Sequence, residues 1–114
     1  MKVNELVNKL HLTLFCGEGG MNNKITGGYT SDLLSDVMGN AEEGMIWITL
    51  QTHQNVMAVA ALKDMAAVLL VNGLKPDKEM LEKGESEDVP ILGTTLSAFE
   101  VSGKIYEIIM NYEL

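Results

Sequence analysis

Two runs of six residues, Met45-Ile46-Trp47-Ile48-Thr49-Leu50 and Ala66-Ala67-Val68-Leu69-Leu70-Val71, contain no charge and do not alternate apolar with polar residues. A strand with one wet face alternates. A continuous apolar strand is buried on both faces, as happens where helices cover both sides of a parallel sheet. Between the runs lie the polar link Gln51-Thr52-His53-Gln54 and a predicted helix from Asn55 to Met65. Strand, helix and strand in that order make a βαβ crossover. Pro76 then opens a predicted charged helix ending near Lys83, with Gly84 past its end. Glu85-Ser86-Glu87-Asp88 reads as an acidic loop. Val89-Pro90-Ile91-Leu92-Gly93 reads as a third strand, its proline either on a sheet edge or at the strand's start. Ser97 and Glu100 form a capping box for a last helix, whose Ala98, Val101, Ile105, Ile108, Ile109 and Tyr112 recur at helical spacing.

The first third is more broken. Val3, Leu6, Val7 and Leu10 predict a short helix, and Leu12-Thr13-Leu14-Phe15-Cys16 a strand. Gly17-Glu18-Gly19-Gly20-Met21-Asn22-Asn23 suits neither. Ile25 to Tyr29 predicts a short strand, with Gly27-Gly28 marking a bulge or a close backbone approach. Ser31 is positioned to cap a helix through Leu33, Leu34, Val37 and Met38 that Gly39-Asn40 ends. With 114 residues there is room for one hydrophobic core. The expectation is a single α/β sandwich with a mostly parallel sheet over residues 1–114.

Charge narrows the function. Sixteen acids face eight lysines with no arginine, a formal net charge of −8. Nucleic-acid affinity comes mostly from Lys and Arg on phosphates, so no nucleic-acid partner is expected. A bidentate arginine clamp is impossible. No apolar run approaches the ~20 residues of a membrane helix, and the N-terminus leads into an amphipathic stretch, not a signal h-region. The single cysteine, Cys16, cannot form an internal disulfide and fits a reducing cytoplasm.

In open α/β sheets ligands favour the loops after the strands' carboxyl ends. Three qualify: Thr52-His53-Gln54-Asn55, Asn72-Gly73 and Thr94-Thr95-Leu96-Ser97. The first and last lead into helices whose free N–H groups suit an anion, although simple capping by Thr52, Asn55 and Ser97 accounts for the same residues. With Gly27 and Gly28, the candidate ligand residues are Thr52, His53, Asn72, Gly73, Thr94 and Thr95. The glycine-rich segment lacks the Walker order, since Asn23-Lys24-Ile25 stands where Gly-Lys-Ser/Thr is needed. It is either a turn-rich loop or a backbone nest for a small anion. An enzyme using Cys16 or His53 is a further alternative, but the two lack an orienting group and no Cys/His spacing suits a metal, so neither catalysis nor a cofactor is expected. Asp32 and Asp36 fall at i, i+4 on one face of the predicted helix, which is either simply solvated or a place where a cation or lysine joins them. The run Val56-Met57-Ala58-Val59-Ala60-Ala61-Leu62 is apolar nearly all round, which predicts a homodimer built on Val56, Met57, Ala58 and Ala61, or else a helix sandwiched within one domain.

With these segments in place, the chain resembles the DRTGG domain family. Thr26-Gly27-Gly28-Tyr29-Thr30-Ser31-Asp32-Leu33-Leu34-Ser35-Asp36-Val37-Met38 looks like its signature region. Trp47 to Asn55 and Ala66 to Gly73 look like the segments that follow. The stand-alone bacterial branch is the most similar, and it is related to the N-terminal domain of HPr kinase/phosphorylase. Asn23-Lys24 stands near where Asp-Arg is expected. The resemblance implies an α/β domain, commonly dimeric, with a regulatory or ligand-sensing role and no catalysis. Relatives fused to CBS domains respond to adenine nucleotides, chiefly through the CBS part. The sequence therefore points to a cytoplasmic sensor of a small anionic metabolite or adenine nucleotide, or to an adaptor for a redox or metabolic enzyme.

Overall fold

The computed structural model describes residues 1–112, to which every structural statement here refers. Helix α1 (Val3–Leu10) leads to β1 (Thr13–Cys16), a 3-10 turn (Glu18–Gly20) and β2 (Gly27–Thr30). There follow α2 (Leu34–Asn40), β3 (Met45–Thr49), α3 (Asn55–Leu62), β4 (Ala67–Leu70), α4 (Lys78–Glu87), β5 (Ile91–Gly93) and α5 (Ala98–Tyr112). The five strands lie in the order β1-β5-β4-β3-β2. All neighbours are parallel except β1, which runs antiparallel to β5. The expected α/β architecture with a mostly parallel sheet is the one observed.

The apolar runs behave as double-faced strands. Ile46, Ile48, Ala67 and Leu69 enter one core with Val3, Leu6, Val101 and Ile105, from α1 and α5. Trp47, Val68 and Leu70 enter the other with Val37, Val56, Met57 and Met80, from α2, α3 and α4. Each strand splits its side chains between the two helix layers because successive residues point to opposite faces. Helix α3 packs on the sheet and is flanked by α4 and α2. Val56 and Met57 are therefore buried inside the chain, and only Ala58 is exposed and Ala61 half-buried. Its apolar character answers burial within the domain, so Val56 and Met57 cannot serve the dimer face expected of them.

Several local expectations shift. Helix α2 begins at Leu34, and Ser31 accepts from Leu33 N instead of capping it. Helix α4 runs through Gly84 and Glu85 to Glu87, so the acidic loop is its last turns. Gly84 sits mid-helix because a Cβ there would lie 2.7 Å from Cys16 Sγ and 2.8 Å from Ile91 Cδ1. Pro90 precedes β5, which is an interior strand.

The glycine-rich segment is a structural buckle. Asn23 and Met21 carbonyls accept from Val3 N and Asn4 N, satisfying the open start of α1. Gly17 N donates to the Glu85 carboxylate at 3.0 Å, an anion supplied from within the fold. Gly17 has φ +82°, and a Cβ there would run into the Val89 carbonyl. Gly17→Ala should cost at least about 2 kcal/mol. Gly39→Ala, helical with open space around it, should gain about 0.5–1 kcal/mol. Thermal unfolding of the two variants should move the midpoint in opposite directions. Equal effects would remove the steric argument.

Candidate functional site

The parallel strands end at one edge of the sheet, and there the chain turns sharply. After β4, Asn72 and Gly73 take positive φ values of 58° and 71°. Their amides do not point to solvent. Asn72 N donates to Leu96 O at 2.9 Å and Gly73 N to Thr94 O at 2.8 Å. These bonds clamp the β4 loop to the β5 loop, so the amides of Asn72 and Gly73 are already paired within the fold. What remains open is a cavity of about 480 Å³ bounded by Gly73, Lys75, Thr94 and Thr95, with His11 and Phe15 opposite. That volume falls within the ~300–1,000 Å³ usual for small-ligand sites. Thr94 Oγ1 accepts from Leu96 N at 3.2 Å, which leaves its proton free to donate outward. Lys75 contributes fixed positive charge beside two hydroxyls and an aromatic ring. The set suits a small anion with an apolar or planar body.

Thr52 and His53 lie elsewhere. His53 Nδ1 is 3.2 Å from Asp77 Oδ2, and Asp77 also caps α4 through Met80 N at 3.1 Å. Asp77 N donates to Thr52 O at 3.1 Å. This loop is thus fastened to the start of α4 and does not line the cavity. Neither Thr52 nor Asn55 caps α3, whose N-cap residue is Gln54. Ser97 does cap α5, with Glu100 N donating to its hydroxyl at 3.2 Å. Gly27 and Gly28 open β2, in register with Met45 and Ile46 at the opposite end of the strands. The eight candidate residues therefore occupy three places, and Gly73, Thr94 and Thr95 share the cavity with Asn72 on its turn. Lys75, His11 and Phe15 escaped the sequence reading. Lys75 had a signal, its place just after a strand-end turn; the other two come from an antiparallel strand and its approach, which spacing does not locate.

The carboxylates have local tasks. Asp32 lies before α2, not on it with Asp36. Its Oδ1 accepts from Thr49 Oγ1 at 2.8 Å and Leu50 N at 2.7 Å, locking the β2–α2 link to the end of β3. Asp36 Oδ1 accepts from the Tyr29 hydroxyl at 2.8 Å and from Asn40 at 3.0 Å. Hydroxyls of Ser31 and Tyr29 hold the Asp36 carboxyl below its ordinary range. Cys16 lies against Gly84, seven residues or about 10 Å along α4 from Asp77, so it forms no pair with His53. Burial first, then the Glu85 charge, pushes its thiol up, which keeps it protonated and a poor nucleophile. Among the described residues no three His, Cys, Asp or Glu side chains gather as a metal site, and no helix is long and apolar enough to cross a membrane.

The lowered Asp36 carboxyl has a consequence for stability. A group whose folded value lies below its unfolded one stabilises above the unfolded value and loses that contribution as pH falls toward the folded one. Acid should therefore weaken the fold from the ordinary aspartate range downward. In Tyr29→Phe this part of the pH dependence should flatten, as followed by denaturant titration at stepped pH; an unchanged slope would place the acid sensitivity elsewhere.

No protein-family model matches the sequence, and no curated protein matches it significantly. Among solved structures, the fold is similar to the CBS and DRTGG domains of the regulatory region of a Clostridium perfringens pyrophosphatase, crystallised with its activator diadenosine tetraphosphate. The TM-score is 0.71 at 13 % identity, over 92 % of this chain and 45 % of that one. The chain thus spans less than half the length of that structure, and what the likeness shows is a shared α/β fold.

Proposed function

We propose that this chain is a non-catalytic regulatory module of DRTGG type, a single such domain over residues 1–114 that senses a small ligand in the cytoplasm and acts as a homodimer. The observation that carries the reading is the cavity at the strand ends, bounded by Gly73, Lys75, Thr94 and Thr95, in a fold shared with a regulatory region. Strand-end cavities are where this class of sheet binds ligands. The ligand class is a small anionic metabolite or adenine nucleotide. Lys75 and the threonine hydroxyls meet the anion, and Phe15 meets the planar body. The activator bound to the pyrophosphatase region supports the adenine choice. The protonated Cys16 thiol and the distant His53–Asp77 pair support a non-catalytic role.

Thermal unfolding against diadenosine tetraphosphate, adenosine phosphates and acyl phosphates tests the reading. A ligand at a hundred times its dissociation constant adds about 2.7 kcal/mol, a shift of several degrees. Lys75→Ala should weaken affinity about tenfold, whereas His53→Ala, outside the cavity, should leave it unchanged. A flat response across the whole panel would contradict ligand sensing and favour the adaptor for a partner enzyme.

A further inference from the structure

Helix α5 carries an apolar stripe that the described chain does not cover. Phe99 is 89 % exposed, Tyr106 68 % and Met110 56 %. At 3.6 residues per turn these three fall within about 40° of arc, with Gly103 at the margin of the same strip. Val101 and Ile105, on the far side of the helix, are buried in the core. The edge strand β2 runs alongside, and the Thr30 and Ser102 hydroxyls meet at 2.8 Å to fasten strand and helix together. Between them lies a groove of about 840 Å³. Gly27, Gly28, Ser102 and Gly103 are among its small wall residues, and Phe99 and Tyr106 among its bulky ones.

We propose that a second copy of this chain fills this groove, with α5 packed antiparallel on α5 about a two-fold axis at Ser102–Gly103. This gives the homodimer of the functional reading its surface and rests on that part of it alone. The stripe reads the same in both directions. Phe99 lies as far before the Ser102–Gly103 midpoint as Tyr106 lies after it, so the rotation sets each Phe99 level with Tyr106 of the other copy. Such self-complementarity is what an isologous contact requires. The small residues at the crossing let the helices approach closely, since a Cβ on Gly103 would meet nothing within 4 Å.

Area agrees with this packing. Aromatic side chains offer about 150–250 Å² each, so Phe99 and Tyr106 at their exposures supply about 240–390 Å² per copy. That is a third to a half of the ~800 Å² per partner of a standard interface, before Met110 and the groove walls are added.

Light scattering of the full chain across a concentration series is the test. Wild type should show twice the 12.4 kDa chain mass. Phe99→Glu and Tyr106→Glu, both at exposed positions, should keep the circular dichroism of wild type and weaken dimerisation by about a hundredfold. Ala58→Glu, on the α3 side, should remain dimeric. Gly103→Cys in a Cys16→Ser background should oxidise to a covalent dimer. A monomeric wild type overturns both this surface and the homodimer. A dimer that survives both glutamates, yields to Ala58→Glu or gives no Gly103→Cys crosslink overturns the surface and leaves the homodimer standing. Ligand sensing is read separately, from thermal shifts at the strand-end cavity.

Discussion

The burial of β3 and β4 on both faces governs the rest of the structure. Ile46 and Ile48 point into one core while Trp47 points into the other, and Ala67 and Leu69 oppose Val68 and Leu70 in the same way. Neither face can be left to water, so helices must cover both. Parallel neighbours then need helical crossovers, which places all three strand-end loops of β3, β4 and β5 on one edge. The buried Trp47 ring fits this scheme because its Nε1 donates to Ser31 O at 2.8 Å. Thr49, a buried polar side chain at the end of β3, donates to Asp32. The same residues that close the sheet therefore also fix the loops around it.

Much of this architecture was legible because it depends on local pattern. The two charge-free runs and the Ser97–Glu100 box read directly as the elements they form. The errors share one cause, since tertiary contact overrode a local signal. Gly84 looks like a helix stop, yet it lies within α4 because Cys16 and Ile91 leave no room for a side chain there. Ser31 looks like an N-cap, but its carbonyl serves Trp47 and the helix starts later. Helix α3 looks like an interface, but α2 and α4 already flank it. The apolar stripe on α5 was visible in principle as Phe99, Tyr106 and Met110 at seven- and four-residue steps. It was masked by the buried stripe of the same helix, whose longer apolar list dominates the periodicity.

The candidate site was only partly legible for a geometric reason. Sequence order identifies strand-end loops but not which of them face one another. The clamp from Asn72 and Gly73 to Leu96 and Thr94 joins the β4 and β5 loops, while Asp77 draws Thr52 and His53 away toward α4. The clamp also occupies the amides of Asn72 and Gly73, so in the functional reading Lys75 and the threonine hydroxyls meet the anion. On this account the glycine-rich loop and the paired aspartates, which invite ligand readings, hold the fold together.

Ligand entry into the cavity between the β4 and β5 loops is tested by an amide-resolved nuclear magnetic resonance titration of the full chain with diadenosine tetraphosphate and adenosine phosphates. The expected result is saturable shifts centred on Gly73, Lys75, Thr94 and Thr95, with Gly27, Gly28 and His53 unmoved. Saturable shifts centred on another part of the fold, or no shifts with any of these nucleotides, would contradict it.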